Sequence, residues 1–286
     1  MRLAPVARSR PKVAVVGHVE WVQFARVSHV PRAGEVVHAS DPFEEPAGGG
    51  AVAAVQLARL AGETVLVTAL GDDECGRRSV ARLKELGVEV RASIVASPTR
   101  RAVTLVDDAG ERTITTFGPR LDPRGEQDAL WSALEGMDAV YFTAGDEDAL
   151  RLARRAARVL VVSPRARDAL GHGVPLDALV LSGDDRIELR EVARAREEAE
   201  VVVCTEGERG GGYRERSGAS GRWSAVTPSG ATVDSYGCGD SFAAGLAYGL
   251  GAGLDIAGAL ALAARCGAAC LTGRGPYERQ LTGREL

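Results

Sequence analysis

Short runs of β-branched and apolar residues alternate with longer segments whose apolar positions recur every three or four residues, the pattern of strands separated by amphipathic helices. KVAVVGHV (residues 12–19) reads as a buried first strand that reaches a glycine. AGGGAVAAVQLARLAG (47–62) is a glycine turn followed by a helix of small residues, and ETVLVTALGDD (63–73) returns as a strand, which completes one β-α-β unit. A helix over 74–87 leads to three predicted strands, VEVRASIV, RAVTLVDDAG and ERTITTFG, with a hairpin turn at 107–110 between the last two.

The alternation then repeats. Helices are predicted over 123–136, 146–157 and 184–199, and strands over 139–145, 158–164, 177–183 and 201–207. Strands at this spacing between helices imply right-handed crossovers and an α/β fold with a doubly wound, mostly parallel sheet flanked by helices. A hairpin over 210–223 and two apolar helices close the chain. The segments around 20–45, punctuated by PRAGE at 31–35, and 88–118 break the parallel rhythm and are expected to form a small β-sheet lid over the strand ends. One domain is expected over 12–286, with a disordered tail at 1–11.

Composition narrows the classes. Of 286 residues, 45% are hydrophobic and 26% charged, enough for a sizeable core. Acidic side chains outnumber basic ones, 39 to 35, which argues against nucleic acid as a partner. Asp255 and Arg265 interrupt the most apolar stretch, so no membrane span is expected. The basic opening lacks the apolar core of a secretory signal, and the expected location is the cytoplasm. Five cysteines (75, 204, 238, 266, 270) lack CxxC spacing or paired histidines and read as reduced thiols.

VDSYGCGDSF (233–242) carries the chemistry. A glycine-rich turn opening a helix aims amide N–H groups and the positive dipole end at one spot, an anion site built from Gly237, Cys238 and Gly239. Asp240 is badly placed if a bound phosphate is the only ligand, because like charges repel. It is well placed to take the proton of an alcohol that attacks a phosphoryl group held by those amides. In an open α/β sheet ligands collect at the carboxyl ends of strands, and the loops at 17–21, 47–51, 205–209 and 234–240 all fall there. Each residue also has a plainer reading. The G-x-G can be close packing, Asp240 a dipole partner, Glu20 and Trp21 a lid charge and a lid aromatic, and Arg100 and Arg101 solvated charges.

The pattern Asp234-Ser235-Tyr236-Gly237-Cys238-Gly239-Asp240-Ser241-Phe242 resembles the C-terminal signature of the ribokinase-like carbohydrate kinases, the PfkB family. VVGHVEW, PRAGE, the glycine turn before AVQLARL, GDDECG and VVVCTEG followed by ERGG stand in the family's order along nearly the whole chain. The resemblance implies an ATP-dependent kinase acting on a hydroxyl of a small sugar or sugar derivative, with Mg²⁺ and, as a further candidate, K⁺. It makes Asp240 the catalytic base and Gly237, Cys238 and Gly239 the anion hole. Thr205, Gly207, Arg209, Gly239 and Thr272 would border the nucleotide. Glu20, Gly48, Gly49, Arg101 and Asp240 would meet the substrate, Asp185 would reach Mg²⁺ through water, and Asp234 would belong to a monovalent-cation loop. A homodimer through the lid is a further implied partner.

Departures fall on the substrate side: Val22 stands where the family often has a sugar-gripping Asp, Val52 where it often has Asn, and Ser182-Gly183-Asp184-Asp185 where Asn-Glu-x-Glu is common. A nucleoside kinase and a weakly catalytic sugar- or nucleotide-binding protein are the alternatives. A dinucleotide oxidoreductase ranks below both, because no G-x-G-x-x-G follows the first strand.

Overall fold

β1 (Val13–Val16), buried at all four residues, lies between two parallel neighbours in a nine-stranded sheet. This is seen in the computed structural model of the protein, which describes residues 10–126 and 128–286. On one side are β4 (Thr64–Gly71) and β5 (Val88–Val95); on the other are β8 (Met137–Phe142), β9 (Ala157–Val162), β10 (Leu176–Ser182) and β11 (Ala199–Thr205), all parallel. The hairpin β12 (Gly211–Glu215) and β13 (Ser220–Trp223) completes that edge antiparallel. The chain winds outward from β1 in one direction and from β8 in the other, so the topological switch point lies between β1 and β8.

The alternation inside β1 explains its two-sided burial. Val13 and Val15 join a core with α1 (Gly49–Ala61), α6 (Cys238–Gly251) and α7 (Ile256–Cys270). Ala14 and Val16 join the opposite core with α4 (Glu147–Ala156) and α5 (Arg186–Ala195). α2 (Glu74–Glu85) is capped by Asp73, whose carboxylate accepts from Gly76 N.

The lid is a four-stranded sheet, β3 (Ser40–Ala47), β2 (Glu20–Arg26), β6 (Arg101–Val106) and β7 (Arg112–Phe117), in that order. β5 is not part of it. It follows α2 in the same crossover rhythm and pairs in parallel with β4 along eight residues, so only β6 and β7 of the 88–118 stretch belong to the lid. Its alternating polar positions, which suggest a lid strand, belong to an open edge of the main sheet.

The helix expected over 123–136 is reduced to α3 (Asp128–Trp131) and a 3-10 turn at Ser132–Leu134. Gly125, hard against the Asp148 backbone, belongs to a loop instead. Residues 1–9, most of the expected tail, lie outside the described residues. No helix among the described residues is long and apolar enough to cross a membrane.

Candidate active site

Gly237 precedes α6 with φ 84° and ψ 0°, a left-handed conformation that favours glycine. A Cβ there would stand 2.9 Å from Val52 Cγ1, so the turn also packs tightly on α1. Beyond it the first amides of α6 are free: those of Gly239 and Asp240 donate to no described group, and that of Cys238 reaches Ser235 O only at 3.5 Å. A Cβ on Gly239 would meet nothing within 4 Å. The helix therefore presents unsatisfied donors to open space, the arrangement expected from the sequence. Cys238 is not an activated nucleophile. A hydrogen bond with the Cys270 thiol and burial push its thiol well above the ordinary range.

The Asp240 carboxylate, half-buried, accepts no hydrogen bond from the described residues. A Cβ on Gly49 would lie 3.0 Å from its Oδ1, 3.2 Å from Thr143 Oγ1 and 3.7 Å from His18 Cε1. Thr143 follows β8 and His18 follows β1, so the carboxylate sits at the switch point of the sheet. Burial raises the Asp240 pKa more than the positive charges of Arg165, His18 and Arg112 lower it. Arg165 stands just after β9 and pairs with both Glu188 and Asp185 of the α5 start. Burial raises the Glu188 pKa in spite of Arg165, while one carboxylate oxygen accepts from Ser182 N at 2.8 Å.

The registers β2–β6 and β6–β7 put Glu20, Val22, Phe24, Arg100, Ala102, Thr104, Arg112 and Thr116 on one face of the lid. Glu20 is buried against His18, Nε2 to Oε1 3.3 Å, and Arg100 Nε lies 3.6 Å from its other oxygen. Arg100 also donates to Thr116 Oγ1 at 2.7 Å. Gly48 fits between these groups: a Cβ there would be 2.9 Å from Glu20 Cγ and 3.0 Å from His18 Nε2. Glu20, Gly48, Gly49 and Asp240 are thus brought together. Arg101 is not among them, because it is one residue out of step and lies on the opposite face of β6; Arg100 takes the inward place. Val22 and Val52 are both fully buried in the core. Trp21 lies on the outer face beneath the Arg78 guanidinium, 4.2 Å from its ring centre.

Of the residues expected to border the nucleotide, Thr205 ends β11 with its hydroxyl on Leu181 O, and Gly207 and Arg209 lie in the short 3-10 turn that follows. Arg209 is exposed, 3.7 Å from both Asp184 and Glu206. Thr272 Oγ1 donates to Ala269 O, and a Cβ on Gly230 would meet its methyl at 3.8 Å. Asp185 caps α5 through Ile187 N and Glu188 N and pairs with Arg165, which leaves little of its carboxylate for a metal. Asp234 is buried with one oxygen on Tyr236 N at 2.8 Å and the other on Gly275 N at 3.0 Å, tying two loops together. Among the described residues no three His, Cys, Asp or Glu cluster as a metal site.

Arg112, Thr143 and Arg165 act on or lie near Asp240, Glu188 pairs with Arg165, and all four escaped the sequence reading. Only SPRAR (163–167), which straddles the end of the predicted strand 158–164, offered a signal, since it sits at a strand end where ligands collect. Thr143, five residues beyond Asp138, looks like the tail of a buried strand.

With this geometry in place, comparison with known proteins decides the family. The pfkB family carbohydrate kinase profile matches residues 10–282. The chain belongs to the pfkB carbohydrate kinase family. An ATP-dependent ribose-1-phosphate kinase of Halopiger xanaduensis is 31% identical over 280 residues, covering 90% of each chain. A Dictyostelium discoideum ribokinase is 31% identical over 41% of this chain and 37% of its own, and a bifunctional HldE protein of Halorhodospira halophila is 30% identical over 78% and 51%. The match thus spans a third to a half of the length of those two relatives. Among solved structures, a microbiome-derived acarbose kinase, Mak1, superposes with TM-score 0.79 at 25% identity, over 96% of this chain and 97% of that one. An Arabidopsis thaliana ribokinase complexed with ribose and ATP shares the fold, TM-score 0.74 at 18% identity over 96% and 97%. The chain shares its overall fold with these structures.

Proposed function

We propose that this pfkB family protein is an ATP-dependent kinase that transfers the γ-phosphoryl group to a hydroxyl of a small sugar or sugar derivative. One observation carries the reading: an unpartnered, half-buried Asp240 carboxylate lies beside Gly49 at the switch point of the sheet, on the same first turn of α6 whose Gly239 and Asp240 amides are free. Asp240 takes the hydroxyl proton as the alcohol oxygen bonds to the γ-phosphorus and the bond to the β-γ bridging oxygen breaks. The Gly239 and Asp240 amides, with the positive end of the α6 dipole, hold the phosphoryl oxygens where charge redistributes. In this reading Thr205, Gly207 and Thr272 would border the nucleotide.

ATP supplies the phosphoryl group, and any Mg²⁺ that arrives with it would rest on phosphate oxygens. The residues present do not fit a protein-built magnesium site, because Asp185 is committed to capping and to Arg165. Asp234 likewise spends both oxygens on backbone amides, so a K⁺ role would fall to loop carbonyls rather than to this carboxylate. A nucleoside acceptor loses its motivation once Val22 and Val52 lie in the core and Trp21 on the outer lid face.

ADP release measured with ATP and each of ribose, ribose 1-phosphate, fructose 6-phosphate and adenosine tests the proposal. Turnover is expected with at least one sugar and only background with adenosine. Background rates with every sugar would overturn it.

A further inference from the structure

α6 packs on β8 and β9, with Phe242 sharing a core with Tyr141 and Val161. Its last turn meets the starts of both strands, where a Cβ on Gly251 would lie 2.9 Å from Ala139 Cβ and Arg158 donates to Gly251 O. Fourteen residues of helix span about 21 Å and six of strand about 20 Å, so the first turn of α6 stands over the carboxyl ends of β8 and β9. Arg165 lies three residues beyond the end of β9. Ser163 N donates to Phe142 O at 2.9 Å, which keeps the chain beside β8 up to that point.

The Arg165 backbone is held on both sides, its N–H donating to Ser163 Oγ at 3.2 Å and its carbonyl accepting from Arg120 at 2.9 Å. The guanidinium is fixed as firmly. Nε donates to Glu188 Oε1 at 2.5 Å and Nη2 to Asp185 Oδ2 at 3.0 Å, while Nη1 donates to no group among the described residues. A cation needed only to neutralise Glu188 could be as buried as that carboxylate, yet the Arg165 side chain is 50% exposed. Burial raises the Asp240 pKa, and among the charges that oppose it Arg165 is the largest. Burial also raises the pKa of Tyr141 on β8, with Asp240 and then Glu188 adding to the effect, so one hydroxyl lies within reach of both carboxylates.

We propose that Arg165 is a further catalytic residue, its free N–H groups donating to oxygens of the γ-phosphoryl group that the α6 amides hold from the other helix layer. This inference rests on the kinase reading and deepens it. Asp185 and Glu188 then serve the reaction by fixing a permanent cation, in keeping with the poor fit of Asp185 to a metal. A planar guanidinium suits the place, because it can grip two phosphoryl oxygens at once.

The test is calorimetric titration of the full chain with ATP and with ADP, without sugar and at one fixed Mg²⁺ concentration. Arg165→Met keeps an apolar stem and is expected to weaken ATP about tenfold or more while ADP stays within about twofold. Arg165→Lys keeps the charge but not the planar fork and should lose part of the same preference for ATP. A residue that only braced α5 would shift both nucleotides alike. A charge acting at a distance would lose its effect in about 1 M NaCl, where screening sets in beyond about 3 Å, whereas the loss from a direct contact should persist there. Thermal melting checks folding, and Arg165→Lys carries the test should Arg165→Met not fold. An unchanged ATP-to-ADP affinity ratio in the folded variants, an equal loss for both nucleotides, or a loss abolished by salt each overturns the inference. The expected change of ratio without ADP release from any sugar would count against the kinase reading and leave the Arg165 contact standing.

Discussion

At the scale of single residues, the site depends on small side chains that leave room. Gly239 is exposed at the α6 start with nothing near its absent Cβ, and its backbone is not left-handed, so alanine fits the folded chain. Gly239→Ala is expected to melt at or above the wild-type temperature, since the change removes unfolded-state freedom worth about 0.4–1 kcal/mol. The added methyl projects into the space where phosphoryl oxygens would approach, so turnover should fall about tenfold or more. Melting curves and ADP release on one preparation check both halves. The sequence made Asp240, Gly48 and Gly49 legible because motif spacing fixes backbone positions. It could not separate Arg100 from Arg101, because a one-residue change of strand register reverses which side chain faces inward.

At the scale of elements, strands and helices with strong periodicity were legible, and edges were not. β1, β4 and α1 follow their apolar patterns closely, whereas β5 reads as a lid strand because an edge strand of the main sheet carries the same alternation as a lid. The 3-10 turn after β9 had no periodic signature at all, yet it supplies Arg165, which joins the end of β9 to the start of α5 through Glu188 and Asp185. Arg165→Met leaves the buried Glu188 without its cation and should cost about 1–3 kcal/mol, kept modest because the guanidinium is half exposed. It also removes a charge that lowers the Asp240 pKa. A base must be ionised to act, so a higher pKa moves the acid limb of kcat/KM upward: activity near pH 6 should drop more than activity near pH 9. A pH-rate profile that stays parallel to wild type would contradict that coupling.

At the scale of the whole molecule, the lid meets the sheet's business end through Phe24, which stacks on Phe43 at 4.7 Å and meets Tyr236 edge-on at 4.9 Å. Tyr236 belongs to the motif loop, and its hydroxyl accepts from Gly48 N at 3.3 Å, so the lid, the glycine turn before α1 and the turn before α6 form one packed unit. The outer edge of that lid, β7, is exposed along all six residues, with Ile114 and Phe117 among them. An open edge of this kind suits pairing with a second copy, and light scattering is expected to give a dimer mass that Ile114→Lys shifts toward monomer.

The central claim is that Asp240 is the proton acceptor of a phosphoryl transfer. Burial raises its pKa, so the ionised carboxylate costs the fold stability as pH rises through the interval between its unfolded and folded values. Asp240→Asn should therefore melt no lower than wild type at pH 8. Steady-state ADP release by wild type and Asp240→Asn, with the best sugar and saturating ATP, is the most direct measurement. A fall in kcat of about 10²–10⁴-fold in the folded variant is the predicted result. Equal kcat in the two proteins would contradict the account.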